Sequence, residues 1–134
     1  GKCNKNTKNV YKSYKGKVDN KLEVLSKYKF CVCYENNYGY DGYITEKIYD
    51  CIAARCVPIY LGAPDIEKHI PEECYIDARK FNSFAQIYEY IMNLTEEQWN
   101  TYIDAMDKFI KGNGFGSYNG EAMLNDLCDL LKDL

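Results

Sequence analysis

Tyr34-Glu35-Asn36-Asn37-Tyr38-Gly39-Tyr40-Asp41-Gly42-Tyr43-Ile44-Thr45-Glu46-Lys47 joins two stretches of different periodicity. Before it, Phe30 to Tyr34 is a near-continuous apolar run, the pattern of a strand buried on both faces in a parallel sheet. After it, Ile48, Cys51, Ile52 and Arg55 recur at i, i+3, i+4 and i+7, one face of a helix. A strand that ends in a polar, glycine-interrupted loop and restarts as a helix leaves backbone N–H groups at the helix mouth. With the positive end of the helix dipole, they favour an anion by about 0.3–1 kcal/mol. Ligands of open α/β sheets bind beyond the carboxyl ends of the strands, where this loop lies.

Working outward, Val57-Pro58-Ile59-Tyr60-Leu61-Gly62 reads as a second strand, with Pro58 costing at most one ladder bond near its start. Strand, helix and strand over residues 30–62 make a βαβ unit, which crosses over right-handed. Asp65 is placed to cap a short helix from Ile66 to His69, which Pro71 stops, and Cys74-Tyr75-Ile76-Asp77 is a shorter third strand. Capping boxes at Ser83–Gln86 and Thr95–Gln98 open two helices. Their apolar stripes are Phe84, Ile87, Tyr88 and Ile91, then Trp99, Ile103, Met106 and Ile110. Gly112 to Gly120 breaks the pattern, and Leu124, Leu127, Cys128 and Leu131 define a last amphipathic helix. Upstream, residues 1–20 read as irregular, with Asp19 or Asn20 capping a short helix that carries Leu22, Val24 and Leu25. The order predicts the α/β class: one Rossmann-like open parallel sheet with flanking helices, residues 1–134 forming a single domain.

A chain of 134 residues suffices for a core but is small for a complete two-substrate enzyme. The net charge of −3 gives no global field toward nucleic acid or membrane. The lysines crowd the start (Lys2, Lys5, Lys8, Lys12, Lys15, Lys17, Lys21), which reads first as a solvated face. No segment approaches the roughly 18 apolar residues of a membrane span, and no signal peptide opens the sequence. The start at Gly1 without Met reads as a piece of something longer. Seven scattered cysteines, Cys3, Cys31, Cys33, Cys51, Cys56, Cys74 and Cys128, show no zinc-ligand spacing, so no metal is expected. They read as reduced core thiols of a cytoplasmic type.

Chemistry concentrates at the helix mouth. Lys47, on the first helical turn, can neutralise a phosphate or diphosphate, aided by the N–H groups of Thr45 to Lys47. Glu46 is repelled by phosphate and suits sugar hydroxyls such as those of a ribose. A plain surface helix start explains the same residues equally well on periodicity alone, because Glu is favoured in a first turn. No GxGxxG or GxxxxGK[ST] pattern is present. His69, the only histidine, has no acidic partner pattern and reads as a surface residue. Thr95 of Asn93-Leu94-Thr95 is better explained as a helix cap than as part of a glycosylation acceptor.

Four segments together resemble the donor-side signature of the α-1,3-fucosyltransferase family, glycosyltransferase family 10. They are Tyr28-Lys29-Phe30, Glu35-Asn36, Tyr43-Ile44-Thr45-Glu46-Lys47 and Val57-Pro58-Ile59-Tyr60-Leu61-Gly62. The similarity continues through Asp65, Lys68, Pro71, Tyr75-Ile76 and Phe81, covering roughly residues 1–95. It implies one partial half of a GT-B enzyme: the C-terminal half that binds the nucleotide sugar GDP-fucose, with the N-terminal acceptor half absent. By that likeness Lys47 binds the diphosphate and steadies the charge on departing GDP, Glu46 holds ribose hydroxyls, and Asn36 and Tyr43 line the same pocket. The implied reaction is an inverting transfer to a hydroxyl of an acceptor glycan, with no obligatory metal or other cofactor and no nucleic-acid partner.

The departures set further expectations. The family's upstream diphosphate-contacting Arg and its general base have no counterpart here, so no catalytic residue is assigned to this chain. Arg55-Cys56 stands where a small pair usually precedes the Val-Pro strand. The piece alone is expected not to transfer fucose. The alternatives are a non-catalytic nucleotide-binding or interaction module, or a GT-B transferase using another nucleotide sugar.

Overall fold

The structure, a computed structural model, describes residues 16–112, 114 and 115. Its centre is a parallel sheet of β1 (Phe30–Tyr34), β2 (Val57–Leu61) and β3 (Ile76–Asp77), in that order. Phe30 lies opposite Val57 and Tyr34 opposite Leu61, so the two longer strands end level. The pairing runs one residue further, since the Glu35 N–H donates to the Leu61 carbonyl at 2.8 Å. β2 is the middle strand, and Val57 to Tyr60 are all buried, as an apolar run flanked by two parallel neighbours requires.

β1 differs from its reading as a strand buried on both faces. Cys33 is buried, but Val32 on the opposite face is 58% exposed among the described residues. There β1 pairs on one side only, and its second face is covered at one end, where the Tyr34 ring stacks on Phe84 at 5.9 Å. β3 is also shorter than the expected Cys74–Asp77 strand, because Glu72–Cys74 close a single 3₁₀ turn first.

The crossover helix α2 (Glu46–Ala53) buries Ile48, Tyr49, Cys51, Ile52 and Ala53 against the sheet. Arg55 does not continue its face. The helix stops at Ala53, Arg55 takes a left-handed φ of 55°, and two bonds close the end. Arg55 N–H donates to Ile52 O at 3.0 Å and Cys56 N–H to Cys51 O at 2.9 Å, the Schellman pattern. Before β1, Asn20 caps α1 (Lys21–Leu25) through the Glu23 N–H.

After β3 come α3 (Phe84–Asn93) and α4 (Glu96–Lys111). Thr95 and Gln98 complete their capping box, with bonds of 2.9 and 3.1 Å. At Ser83 the box is half made: its hydroxyl caps the Gln86 N–H, but the Gln86 side chain turns to the Asn82 N–H. On α4, Ile103 and Met106 are buried with Trp99 and Ile110 half-buried, as the stripe predicts. On α3 only Ile87 is buried and Ile91 half-buried, while Phe84 and Tyr88 are 66% and 63% exposed. Cys33, Cys51, Cys56 and Cys74 are buried and free, and Cys31 is half-buried and free. Cys3, Cys128 and the predicted last helix lie outside the described residues. Among the described residues no helix is long and apolar enough to cross a membrane.

Candidate functional site

The carboxyl ends of β1 and β2 and the mouth of α2 meet at Glu35, whose side chain is fully buried. Its burial follows from register: Glu35 continues β1 past its last apolar residue while its N–H is still bound to Leu61 O. A buried carboxylate is costly unless charge and hydrogen bonds compensate it, and here both do. Glu35 Oε1 accepts the Thr45 N–H at 2.9 Å, both oxygens accept the Thr45 hydroxyl at 2.9 and 2.8 Å, and Oε2 accepts Lys47 Nζ at 3.0 Å. Gly62 leaves the room: a Cβ there would stand 2.7 Å from Glu35 Cγ and would strike the buried Tyr60 ring.

Lys47 is the expected cation, but its ammonium is not simply free. Nζ donates to Glu35 Oε2 and to the Tyr34 carbonyl at 3.1 Å, and 29% of the side chain remains exposed. The backbone part of the expectation needs correcting. Thr45 N–H is taken by Glu35, and Lys47 N–H faces the Thr45 hydroxyl at 3.5 Å. Two of the three N–H groups expected at the helix mouth are therefore engaged inside the protein.

Glu46 sits exposed on the first turn of α2, Asn36 is exposed directly after Glu35, and Tyr43 is half-buried two residues before the Thr45 cap. Asn36 and Tyr43 lie on the loop that leads into the helix mouth, and Glu46 lies on the helix itself. Sequence reasoning missed Glu35 as a site residue. The available signal was a charged side chain adjoining an apolar strand and sharing a short stretch with Thr45 and Lys47.

Asp65 pins the loop from the other side. It makes no cap bond to its own 3₁₀ turn, Ile66–Lys68, and instead Oδ1 accepts the Gly42 N–H at 2.7 Å. Gly42 has φ of 69°, which explains a glycine at this turn. His69 is exposed as expected but does have an acidic neighbour, with Nε2 3.5 Å from Asp65 Oδ2. At the end of β3, Arg79 donates to both oxygens of Asp77 and to the Pro64 carbonyl at 2.6 Å, bracing the turn after Gly62. A groove of about 1030 Å³ between residues 71–73, α3 and α4 shares no residue with the helix mouth. Among the described residues no cluster of three His, Cys, Asp or Glu side chains is arranged to hold a metal.

The described fold is a parallel sheet with flanking helices, and the solved chains it matches are fucosyltransferases of the GT-B class. The profile of glycosyltransferase family 10 (fucosyltransferase), C-terminal part, matches residues 1–134, and the chain belongs to this family. It is similar to an α-(1,3)-fucosyltransferase of Helicobacter pylori, at 39% identity over 89 residues, covering 66% of this chain and 18% of the relative. An α-(1,4)-fucosyltransferase of Arabidopsis thaliana matches at 33% over 73 residues, 54% of this chain and 18% of the relative. A crystal structure of an α1,3-fucosyltransferase with GDP-fucose matches with a TM-score of 0.56 and 40% identity, over 66% of this chain and 26% of that one. Another α1,3-fucosyltransferase structure gives 0.59 and 37%, over 73% and 27%. The chain thus spans about a fifth of those curated relatives and about a quarter of those solved chains. The resemblance seen in the motifs is borne out, and the profile extends it to the whole sequence.

Proposed function

We propose that this chain is the donor-binding part of an inverting fucosyltransferase that moves fucose from GDP-fucose to a hydroxyl of an acceptor glycan. The observation that carries the reading is Lys47, a partly exposed side chain whose ammonium is fixed at the carboxyl edge of a parallel sheet, in a chain matched along its length by a fucosyltransferase family. Lys47 meets the diphosphate and stabilises the negative charge that grows as GDP leaves. Glu46, exposed beside it, accepts hydrogen bonds from ribose hydroxyls, and Asn36 and Tyr43 line the same pocket. The solved relative bound to GDP-fucose supports this choice of donor. The acceptor-binding half and the carboxylate that deprotonates the acceptor hydroxyl are assigned to sequence outside this chain, and no metal is assigned to the diphosphate.

Calorimetric titration of the protein with GDP, GDP-fucose, UDP and UDP-galactose tests the reading. The expected result is guanine-selective binding that weakens about tenfold or more in Lys47→Ala, a loss of about 1.4 kcal/mol, and weakens also in Glu46→Ala. Equal binding of the uridine nucleotides would point to another nucleotide sugar, and no nucleotide binding at all to an interaction module.

A further inference from the structure

We propose that Glu35 is the positioning residue of the donor site, acting on the diphosphate through Lys47; the inference rests on the donor-binding reading above. A lysine ammonium has three N–H bonds and no acceptor. At Lys47 two of them are committed, to Glu35 Oε2 at 3.0 Å and to the Tyr34 carbonyl at 3.1 Å. The third is left for a ligand, on a side chain that keeps 29% of its surface exposed. A flexible four-carbon stem is held in one arrangement before any ligand arrives, so the anion meets a donor already oriented. The same carboxylate takes the N–H and hydroxyl of Thr45, the cap of α2, so one group sets both the lysine and the start of its helix.

Three separated segments build this clamp: Glu35 after β1, Thr45 and Lys47 at α2, and Gly62 after β2. A Cβ at Gly62 would meet the Tyr60 hydroxyl and ring first and then Glu35 Cγ at 2.7 Å, so the glycine leaves room for both side chains. Electrostatics alone argues against placing a carboxylate there, since it repels a diphosphate and cancels part of the lysine's charge. Positioning and simple charge therefore predict opposite signs for its removal. A glutamine is nearly isosteric but carries one acceptor and one donor end. Whichever way it turns, its NH₂ faces either Lys47 Nζ or the Thr45 N–H, both donors.

The test is GDP affinity in the full-length protein carrying Glu35→Gln, Lys47→Ala or both. Positioning predicts that Glu35→Gln weakens GDP about tenfold alone and less than twofold in the Lys47→Ala background, where nothing is left to orient. GDP binding that is unchanged or tighter in Glu35→Gln overturns the inference. So does an equal loss in both backgrounds, which marks a merely structural role. If Lys47→Ala leaves GDP affinity intact, the donor-site reading itself falls. If Lys47→Ala weakens binding and Glu35→Gln does not, only the positioning role falls. Should Glu35→Gln not fold, the ¹⁵N-edited ammonium spectrum of the unmodified protein decides. A slowly exchanging Lys47 Nζ signal that shifts on adding GDP supports the clamp, and its absence overturns it.

Discussion

Asp65 shows how one carboxylate can set the shape of a loop across the site. Its Oδ1 holds the Gly42 N–H at 2.7 Å, with His69 Nε2 at 3.5 Å and Lys68 Nζ at 3.9 Å on its other oxygen. The Gly42 N–H first, and His69 after it, hold the Asp65 carboxyl below its ordinary value. A carboxyl with a depressed value in the folded protein stabilises fully above its unfolded value of about 3.9, and the contribution is lost as pH falls through the folded value. The Gly42 amide should therefore be protected from hydrogen exchange at pH 6, lose that protection as the pH drops below about 4, and be unprotected at every pH in Asp65→Ala. Protection in Asp65→Ala equal to the unmodified chain would show that the loop is held by something else. Neither bond was legible in the sequence, where Asp65 reads as the cap of its own turn. A partner 23 residues earlier leaves no periodic trace. Glu35 escaped for the same reason: a Glu opening a polar loop reads as solvated. Only the convergence of Thr45, Lys47 and Gly62 shows it to be buried.

At the scale of elements, periodicity and capping chemistry identified most of what forms. The βαβ crossover, the Thr95 cap and the buried stripe of α4 follow from side-chain spacing that tertiary packing does not override, and of the two caps open for α1, Asp19 and Asn20, the structure uses Asn20. The end of α2 is different, because i+7 spacing carried the predicted face to Arg55 while the backbone had already turned. Arg55 occupies the Schellman position that favours glycine, at φ of 55°, and its guanidinium reaches Asp107 on α4 at 2.8 Å. A non-glycine residue there costs about 1–2 kcal/mol. A pair this exposed returns only about 0.2–1 kcal/mol. Arg55→Ala keeps the strain and loses the pair, so urea unfolding should show a loss of about 0.2–1 kcal/mol. Arg55→Gly loses the pair but relieves the strain, and should exceed Arg55→Ala in stability by about 1 kcal/mol. Equal stability of the two variants would mean that the left-handed turn is not retained in solution.

Across the whole molecule, the described sheet has three strands, one of them only two residues long, and its exposed large apolar side chains include Tyr28, Val32, Phe84 and Tyr88. Its chemistry is one-sided in the same way. The transfer proposed above needs a carboxylate free to take a proton from the acceptor hydroxyl. Glu35, the one buried charged side chain among the described residues, has both oxygens occupied by Thr45 and Lys47. Glu46 is exposed, and on the donor-binding reading it meets the ribose. On the donor-binding reading the base is assigned to the remaining length of the fucosyltransferase relatives, of which this chain matches about a fifth. The 134-residue chain alone should accordingly bind GDP or GDP-fucose weakly and release no GDP from GDP-fucose when an acceptor glycan is added, while the full-length protein should release it. Coupled detection of released GDP, with and without acceptor, reads the difference. Acceptor-dependent turnover by the short chain would place the base within residues 1–134 and refute the division of labour between the two halves.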